Sequence, residues 1–281
     1  MGESMRTCGA ILAGFVSLGA ALASCTSFSE DTTITDAGTE AGTGTDAAAG
    51  DASTVSSYAS IVLGDTPLLY WRLGEANGSR AVDGTANGRD GEHETSGVRV
   101  GQPSLLANDP DPSVRITAGA SIARKADPGL SFSSNKAFAV ECWFKLPSIP
   151  TGTRALVARM QENGALLSGY SLRLEKDGKV YFGRGETTMV SFASIGAVTA
   201  DVPHHVVGVY DGKAIRLYLD GAEQGFSNHA QALQEHELDF TVGRFATGAP
   251  ELDAFVDEVA VYGYALPADR VRAHYRAGSG R

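Results

Sequence analysis

The acidic run Glu251-Leu-Asp253-Ala-Phe-Val-Asp257-Glu258 is the densest set of residues in this chain that could do chemistry. A retaining glycoside hydrolysis needs two carboxyls about 5–5.5 Å apart on one face. Strand alternation places Glu251, Asp253 and Asp257 on one face and Glu258 on the other. A second stretch, Asp83-Gly-Thr-Ala-Asn-Gly-Arg-Asp-Gly91, gathers carboxylates, an amide and backbone carbonyls. These are the hard oxygen donors that calcium takes about six to eight at a time. Asp83 and Asp90 are equally turn formers, because an Asp side chain bonds its own backbone two residues on. Other reactive spacings are missing. The chain has no HExxH and no GxSxG, and Gly84–Gly91 lacks the Lys-Ser/Thr that a phosphate-binding loop requires. His204 and His205 are adjacent, so on a strand their rings point to opposite faces and a structural role for both is expected. His93, His229, His236 and His274 follow no common spacing.

The elements that would position these residues read as β. Tyr170–Leu174 alternates apolar and polar residues, turns at Asp177-Gly178 and returns as Val180–Phe182. His205–Tyr210 leads through Asp211-Gly212 into Ala214–Leu219, which ends at Asp220-Gly221. Asp-Gly between alternating runs predicts hairpins with type I′ turns, which need positive φ at both central residues. Phe138, Val140, Cys142 and Phe144 share one strand face, with Glu141 and Trp143 on the other. One helix is expected, near the end. Pro267 suits its first turn, Val271 and Tyr275 lie four apart, and Gly278 suits its C-terminal cap. Glycine, 34 of 281 residues, exceeds the usual ~7 % and fits a turn-rich sandwich.

Composition separates the chain into three stretches. Arg6 precedes 14 uncharged, mostly apolar residues, Gly9–Leu22. That is the length of a secretory signal and short of the ~20 residues a spanning helix needs. The stretch closes on Leu22-Ala23-Ser24-Cys25, which resembles a bacterial lipobox. The resemblance implies cleavage before Cys25, lipidation of its sulfur and an outer-membrane or cell-surface address in the cell envelope, anchored by about 0.8 kcal/mol per buried CH₂. Residues 26–55 hold six acids and no base, with little apolar bulk. Such a segment buries too little surface to offset ordering entropy, so it reads as a flexible tether. The expected organisation is a signal peptide over 1–24, a tether over 25–55 and one domain over 56–281. Of three cysteines, Cys8, Cys25 and Cys142, processing would leave only Cys142 free. It reads as a small buried hydrophobe, and no zinc spacing or intramolecular disulfide is available. A net charge of −10 argues against a nucleic-acid partner.

Five blocks then occur in order. They are Tyr70-Trp-Arg-Leu-Gly-Glu75 with Asp83, Gly88 and Gly91; Phe138-Ala-Val-Glu-Cys-Trp-Phe144; His204-His-Val-Val-Gly-Val-Tyr-Asp-Gly212; Arg216-Leu-Tyr-Leu-Asp-Gly221; and Val256-Asp-Glu-Val-Ala-Val-Tyr262 with His274-Tyr275. Together they resemble the laminin-G-like, concanavalin A-like domains of bacterial surface proteins. Pro203 and Ala254 depart from that pattern, where a Trp and a Gly are usual. The resemblance implies an all-β, two-sheet antiparallel jelly roll that binds sugars or proteins, frequently with a structural calcium. First and last strands neighbour each other in such sandwiches, so Asp257 would approach Asp83, with Glu75 as a third ligand. Glycosidases of this architecture carry a further glutamate where this chain has Phe255 or Val256, so hydrolysis through Glu251 and Asp253 is the last reading. Trp71 and Trp143 fall where the family places core residues. Tyr181, Phe182 and Phe192 are looser candidates for stacking on a sugar. The expected function is a lipid-anchored envelope module that is not an enzyme and recognises a glycan or surface protein. The alternative is a passive structural or assembly lipoprotein of the envelope.

Overall fold

The computed structural model describes residues 57–94, 97–117, 119–163, 166–246 and 252–281. Cys25, the acidic stretch 26–55 and Glu251 lie outside them. In chain order the elements are helix α1 (Tyr58–Gly64); strands β1 (Leu69–Trp71), β2 (Arg80–Ala81), β3 (Gly91–His93), β4 (Val98–Gln102), β5 (Ser113–Ile116), β6 (Ile122–Arg124), β7 (Phe138–Lys145), β8 (Arg154–Asn163), β9 (Leu166–Leu174), β10 (Val180–Glu186), β11 (Thr188–Ala193), β12 (His204–Tyr210), β13 (Ala214–Leu219), β14 (Ala222–Asn228), β15 (Phe240–Val242) and β16 (Ala254–Tyr262); and helix α2 (Ala268–Ser279). The first sheet runs β14-β13-β12-β7-β16-β5-β4, with β1 added on β16. The second runs β11-β10-β9-β8-β15-β6-β3-β2. The pairings are antiparallel, so the two-sheet all-β expectation holds.

Period-2 patterning explains how the sheets meet. On β7, Phe138, Val140, Cys142 and Phe144 point between the sheets and are fully buried. Leu172, Leu174, Val180 and Phe182 face them from the second sheet. Burial pushes the Cys142 thiol far above its ordinary pKa, so it is a packing residue. The turns are more varied than expected. Only Asp220-Gly221 has positive φ at both residues, 51° and 74°, as a type I′ turn requires. At Asp211-Gly212 only the glycine is left-handed, and Asp211 Oδ1 instead accepts from the Lys213 and Ala214 amides at 2.9 and 2.8 Å. Asp177 likewise accepts from Lys179 N at 3.0 Å. These loops are longer than two residues, so the aspartate closes them through its side chain.

The outer face of the first sheet is covered by helices. Tyr70, Trp143, Val207, Val209 and Tyr262 pack there against Tyr58, Val62, Leu266 and Val271. Helix α2 starts after Pro267, as expected, but its left-handed cap is Gly280, with φ 68°. Gly278 has another use, since a Cβ there would lie 2.4 Å from the Trp143 ring. Helix α1, capped by Ser57, was not expected. Its seven residues are too few to show a helical period.

A buried polar network fastens both helices to the sheet. His274 Nε2 meets Asp65 Oδ2 at 2.7 Å, and its Nδ1 meets Glu141 Oε2 at 3.0 Å. Tyr262 donates its hydroxyl to Glu141 Oε1 at 2.7 Å, and His205 Nε2 lies 3.4 Å from Oε2. Glu141, His205 and His274 are fully buried. Burial opposes the Glu141 charge, yet His274 and His205 hold its carboxyl well below the usual range. Burial likewise disfavours the His274 cation, but Glu141 and Asp65 outweigh it and raise its pKa. His204 points the other way. Its Nε2 accepts from Thr199 N at 3.1 Å, so Nδ1 carries the proton to Asp220 Oδ2 at 2.8 Å. Both histidines are structural, as their alternation implied.

Candidate functional site

Strand β16 carries a cluster of ionisable groups, and a bulge builds it. The pairing of β16 with β7 shifts between Asp257 and Ala260, and Glu258 sits at φ 53°. A left-handed glutamate is strained backbone, and a bulge re-aims the side chains beside it. Alternation alone would have put Asp257 and Glu258 on opposite faces. Instead both turn to the outer face of the first sheet. Glu258 accepts from the Tyr70 hydroxyl and pairs with Arg72 Nη2 at 3.0 Å. Asp257 accepts from Leu105 N at 3.1 Å.

Arg72 is the hub. Besides Glu258 it pairs with Asp109 at 3.1 Å and Asp111 at 3.2 Å. Burial pushes the Glu258 carboxyl up to about 7 against the pull of Arg72. Burial, with Glu258 beside it, also raises Asp257. Asp111 is raised by burial and by the nearby Asp109 and Glu75 charges, again against Arg72. Glu75 accepts from Val82 N at 2.7 Å through Oε1. Its Oε2 and the Oδ1 of Asp257 are buried without a hydrogen-bond partner. The sequence pointed to Asp257 and Glu75 here but missed Arg72, Asp109 and Asp111. The signal was the two-residue spacing of Asp109 and Asp111 beside prolines, a loop that presents both acids to one partner.

Asp83 does not join this cluster. Its Oδ1 accepts from Tyr70 N and Thr85 N, both at 3.0 Å. Its Oδ2 accepts from Thr85 Oγ1 and Arg89 N, both at 2.8 Å. Four bonds use a carboxylate's ordinary acceptor capacity. Asp83 therefore ties its turn to β1 and does not fit the role of calcium ligand. First and last strands are neighbours, since β1 pairs with β16, yet Asp83 and Asp257 meet different partners. Among the described residues no group of three or more His, Cys, Asp or Glu side chains is placed to hold a metal ion.

The remaining candidates divide plainly. Asp253 is half exposed and bonds Arg115 at 3.1–3.3 Å. Phe255, in place of a second glutamate, lies between Lys145 Nζ at 4.5 Å and the Arg115 guanidinium at 5.4 Å from its ring. Trp71, Trp143 and Phe182 are buried in the core, which removes Phe182 from the stacking candidates. Tyr181 and Phe192 are half-buried, and Tyr181 bonds Asp177 at 3.1 Å under the Arg173 guanidinium.

This geometry belongs to a known class. Residues 117–272 match the profile of the Concanavalin A-like lectin/glucanases superfamily, and the chain belongs to it. No curated protein matches the chain in sequence. Among solved structures, the binding domain of Paraclostridial Mosquitocidal Protein 1 aligns with TM-score 0.59 and 14% identity over 76% of this chain and 53% of its own. The Botulinum neurotoxin serotype G binding domain aligns with TM-score 0.56 and 12% identity over 74% and 50%. Domain 4 of an extracellular arabinanase from Geobacillus stearothermophilus, in complex with arabinotriose, aligns with TM-score 0.57 and 16% identity over 74% of this chain and 98% of that domain. The chain thus spans about half the length of the two toxin domains and nearly all of the arabinanase domain.

Proposed function

We propose that this domain is a glycan-binding module and not an enzyme. The observation that carries the reading is the likeness, over 98% of its length, to an arabinanase domain that holds an oligosaccharide. The ionisable groups support it. Glu258 and Asp257 are 1% exposed and committed to Arg72, Tyr70 and Leu105, so neither carboxyl is free to serve as an acid or nucleophile on a substrate. An array of immobilised neutral and acidic glycans probed with the full chain tests the reading. Retention on at least one glycan class is expected, and retention on none overturns it.

The address is part of the proposal. Cys25, after Leu22-Ala-Ser, would carry the lipid and hold the module at the cell envelope. Cys25→Ser should abolish labelled palmitate incorporation and move the protein out of the membrane fraction, and equal labelling of both forms refutes the anchor. Calcium, if the module uses it, would draw on the unpartnered Oδ1 of Asp257 or Oε2 of Glu75 together with backbone carbonyls and water, since no three such side chains converge among the described residues. Binding to the native state alone stabilises by about 2.7 kcal/mol at a hundredfold excess over Kd. Calcium should then raise Tm by roughly 5–10 °C over chelator. An identical Tm, with no metal by elemental analysis, removes calcium from the account.

A further inference from the structure

Beyond the helices, the outer face of the first sheet carries a line of cations. Strands β7, β16, β5 and β4 are successive, and their registers place Lys145 opposite Phe255, Phe255 opposite Arg115, and Arg115 opposite Arg99. Neighbouring strands lie about 4.8 Å apart, so the four residues span roughly 14 Å in a straight row. Phe255 faces the outer cluster, while its neighbours Ala254 and Val256 face the core between the sheets. The row shares that outward face.

The ring of Phe255 fixes two of the cations, Lys145 on one side and Arg115 on the other. Held this way, they lose less rotamer freedom when an anion binds. Arg99 is exposed, and neither it nor Lys145 has an ion-pair partner among the described residues. Arg115 alone is countered, by Asp253. A cleft of about 190 Å³ continues from Asp253, with Arg154 on its wall. Three cations in a line, in a chain of net charge −10, form a local feature opposite to the overall balance.

We propose that the row Lys145–Phe255–Arg115–Arg99 binds a linear polyuronate, with sugar carboxylates meeting Arg99 and Arg115 about one strand spacing apart and Lys145 about two spacings further on. This rests on the glycan-binding reading and adds to it the site and the ligand class. A straight row suits a polymer with a charge on each unit better than a planar lipid surface, which would call for cations spread in two dimensions. Phe255 contributes by ordering Lys145 and Arg115, because its faces are taken up by them.

Full-chain protein is titrated with polygalacturonate, with the same polymer methyl-esterified, with a neutral arabinan and with anionic phospholipid vesicles. Polygalacturonate should bind at least about tenfold more tightly than its ester, and less tightly as salt rises. The double variant Lys145→Gln/Arg99→Gln should lose at least about tenfold in affinity for polygalacturonate with Tm unchanged, since both side chains reach solvent. Asp253→Asn should strengthen binding by releasing Arg115, an effect that a merely structural role would not give. Equal affinity for acid and ester, or an unaffected double variant, overturns the proposal. If arabinan still binds in that case, the glycan-binding reading stands. Vesicles preferred over polygalacturonate assign the row to a membrane and overturn the polysaccharide. Binding of no glycan overturns both readings.

Discussion

Glu141→Ala should lower stability by about 3–5 kcal/mol, because it removes one member of a buried charge pair and leaves His274 facing the gap. For a domain of this size that is a fall in Tm of roughly 6–20 °C. The loss reaches further than one bond. Tyr262 and His205 lose the same partner, and α2 loses a tie that reaches it from β7 beneath. Glu141→Gln keeps an acceptor for Tyr262 and should cost less. The pH profile distinguishes the pair from simple packing. The depressed Glu141 pKa means that its contribution is present above the unfolded value of about 4.5 and lost as pH falls through the folded one. The raised His274 pKa means that its contribution is present below about 6.5 and lost as pH rises through the folded value. Wild type should therefore be most stable between these limits, and Glu141→Ala should flatten the profile. A variant melting within about 2 °C of wild type would mean that the network contributes little.

Arg72→Met should give a deficit that depends strongly on pH. At about pH 8 it strands Glu258, whose burial already holds its carboxyl up near 7. The expected cost is about 1–3 kcal/mol for an unpaired buried acceptor, held to that range because Arg72 is one-third exposed. The sign follows from the raised pKa. The Glu258 contribution is fully present below about 4.5 and lost as pH rises through about 7. Raised Asp257 behaves in the same direction. At about pH 5 Glu258 is largely protonated in the folded state and the raised Asp257 shifts in the same direction, so the guanidinium matters less and the deficit should shrink to what the Asp109 and Asp111 pairs supply. Denaturant melts of both proteins at pH 5 and 8 check this. An equal deficit at both pH values contradicts the charge argument and leaves only lost packing of the arginine stem.

These two sites show where the sequence was readable. Strand β7 announced its two faces by alternation, and the pattern gave Phe138, Val140, Cys142 and Phe144 to the core and Glu141 to the other side. Asp-Gly marked the hairpins because turn chemistry is local, although the Asp211 turn closes by side-chain bonds that the dipeptide does not reveal. The bulge at Glu258 was hidden, since β16 alternates without a break and backbone strain leaves no mark on residue type. The partners of Glu141 were hidden for another reason. His274 and Asp65 are 209 residues apart, and only the docking of α1 and α2 on one sheet face brings them together. The cation row is a product of register across four strands, with Arg99 and Phe255 far apart in the chain. Asp83 could be read either way, because a turn aspartate with four hydrogen bonds and a ligand aspartate have the same sequence context.

The central claim, that this domain binds a glycan, is tested most directly by calorimetric titration of the full chain with the glycan best retained on the array. The account predicts saturable binding that raises Tm by roughly 5–10 °C at a hundredfold excess over Kd. No saturable heat, with Tm unchanged in every glycan tried, would contradict it.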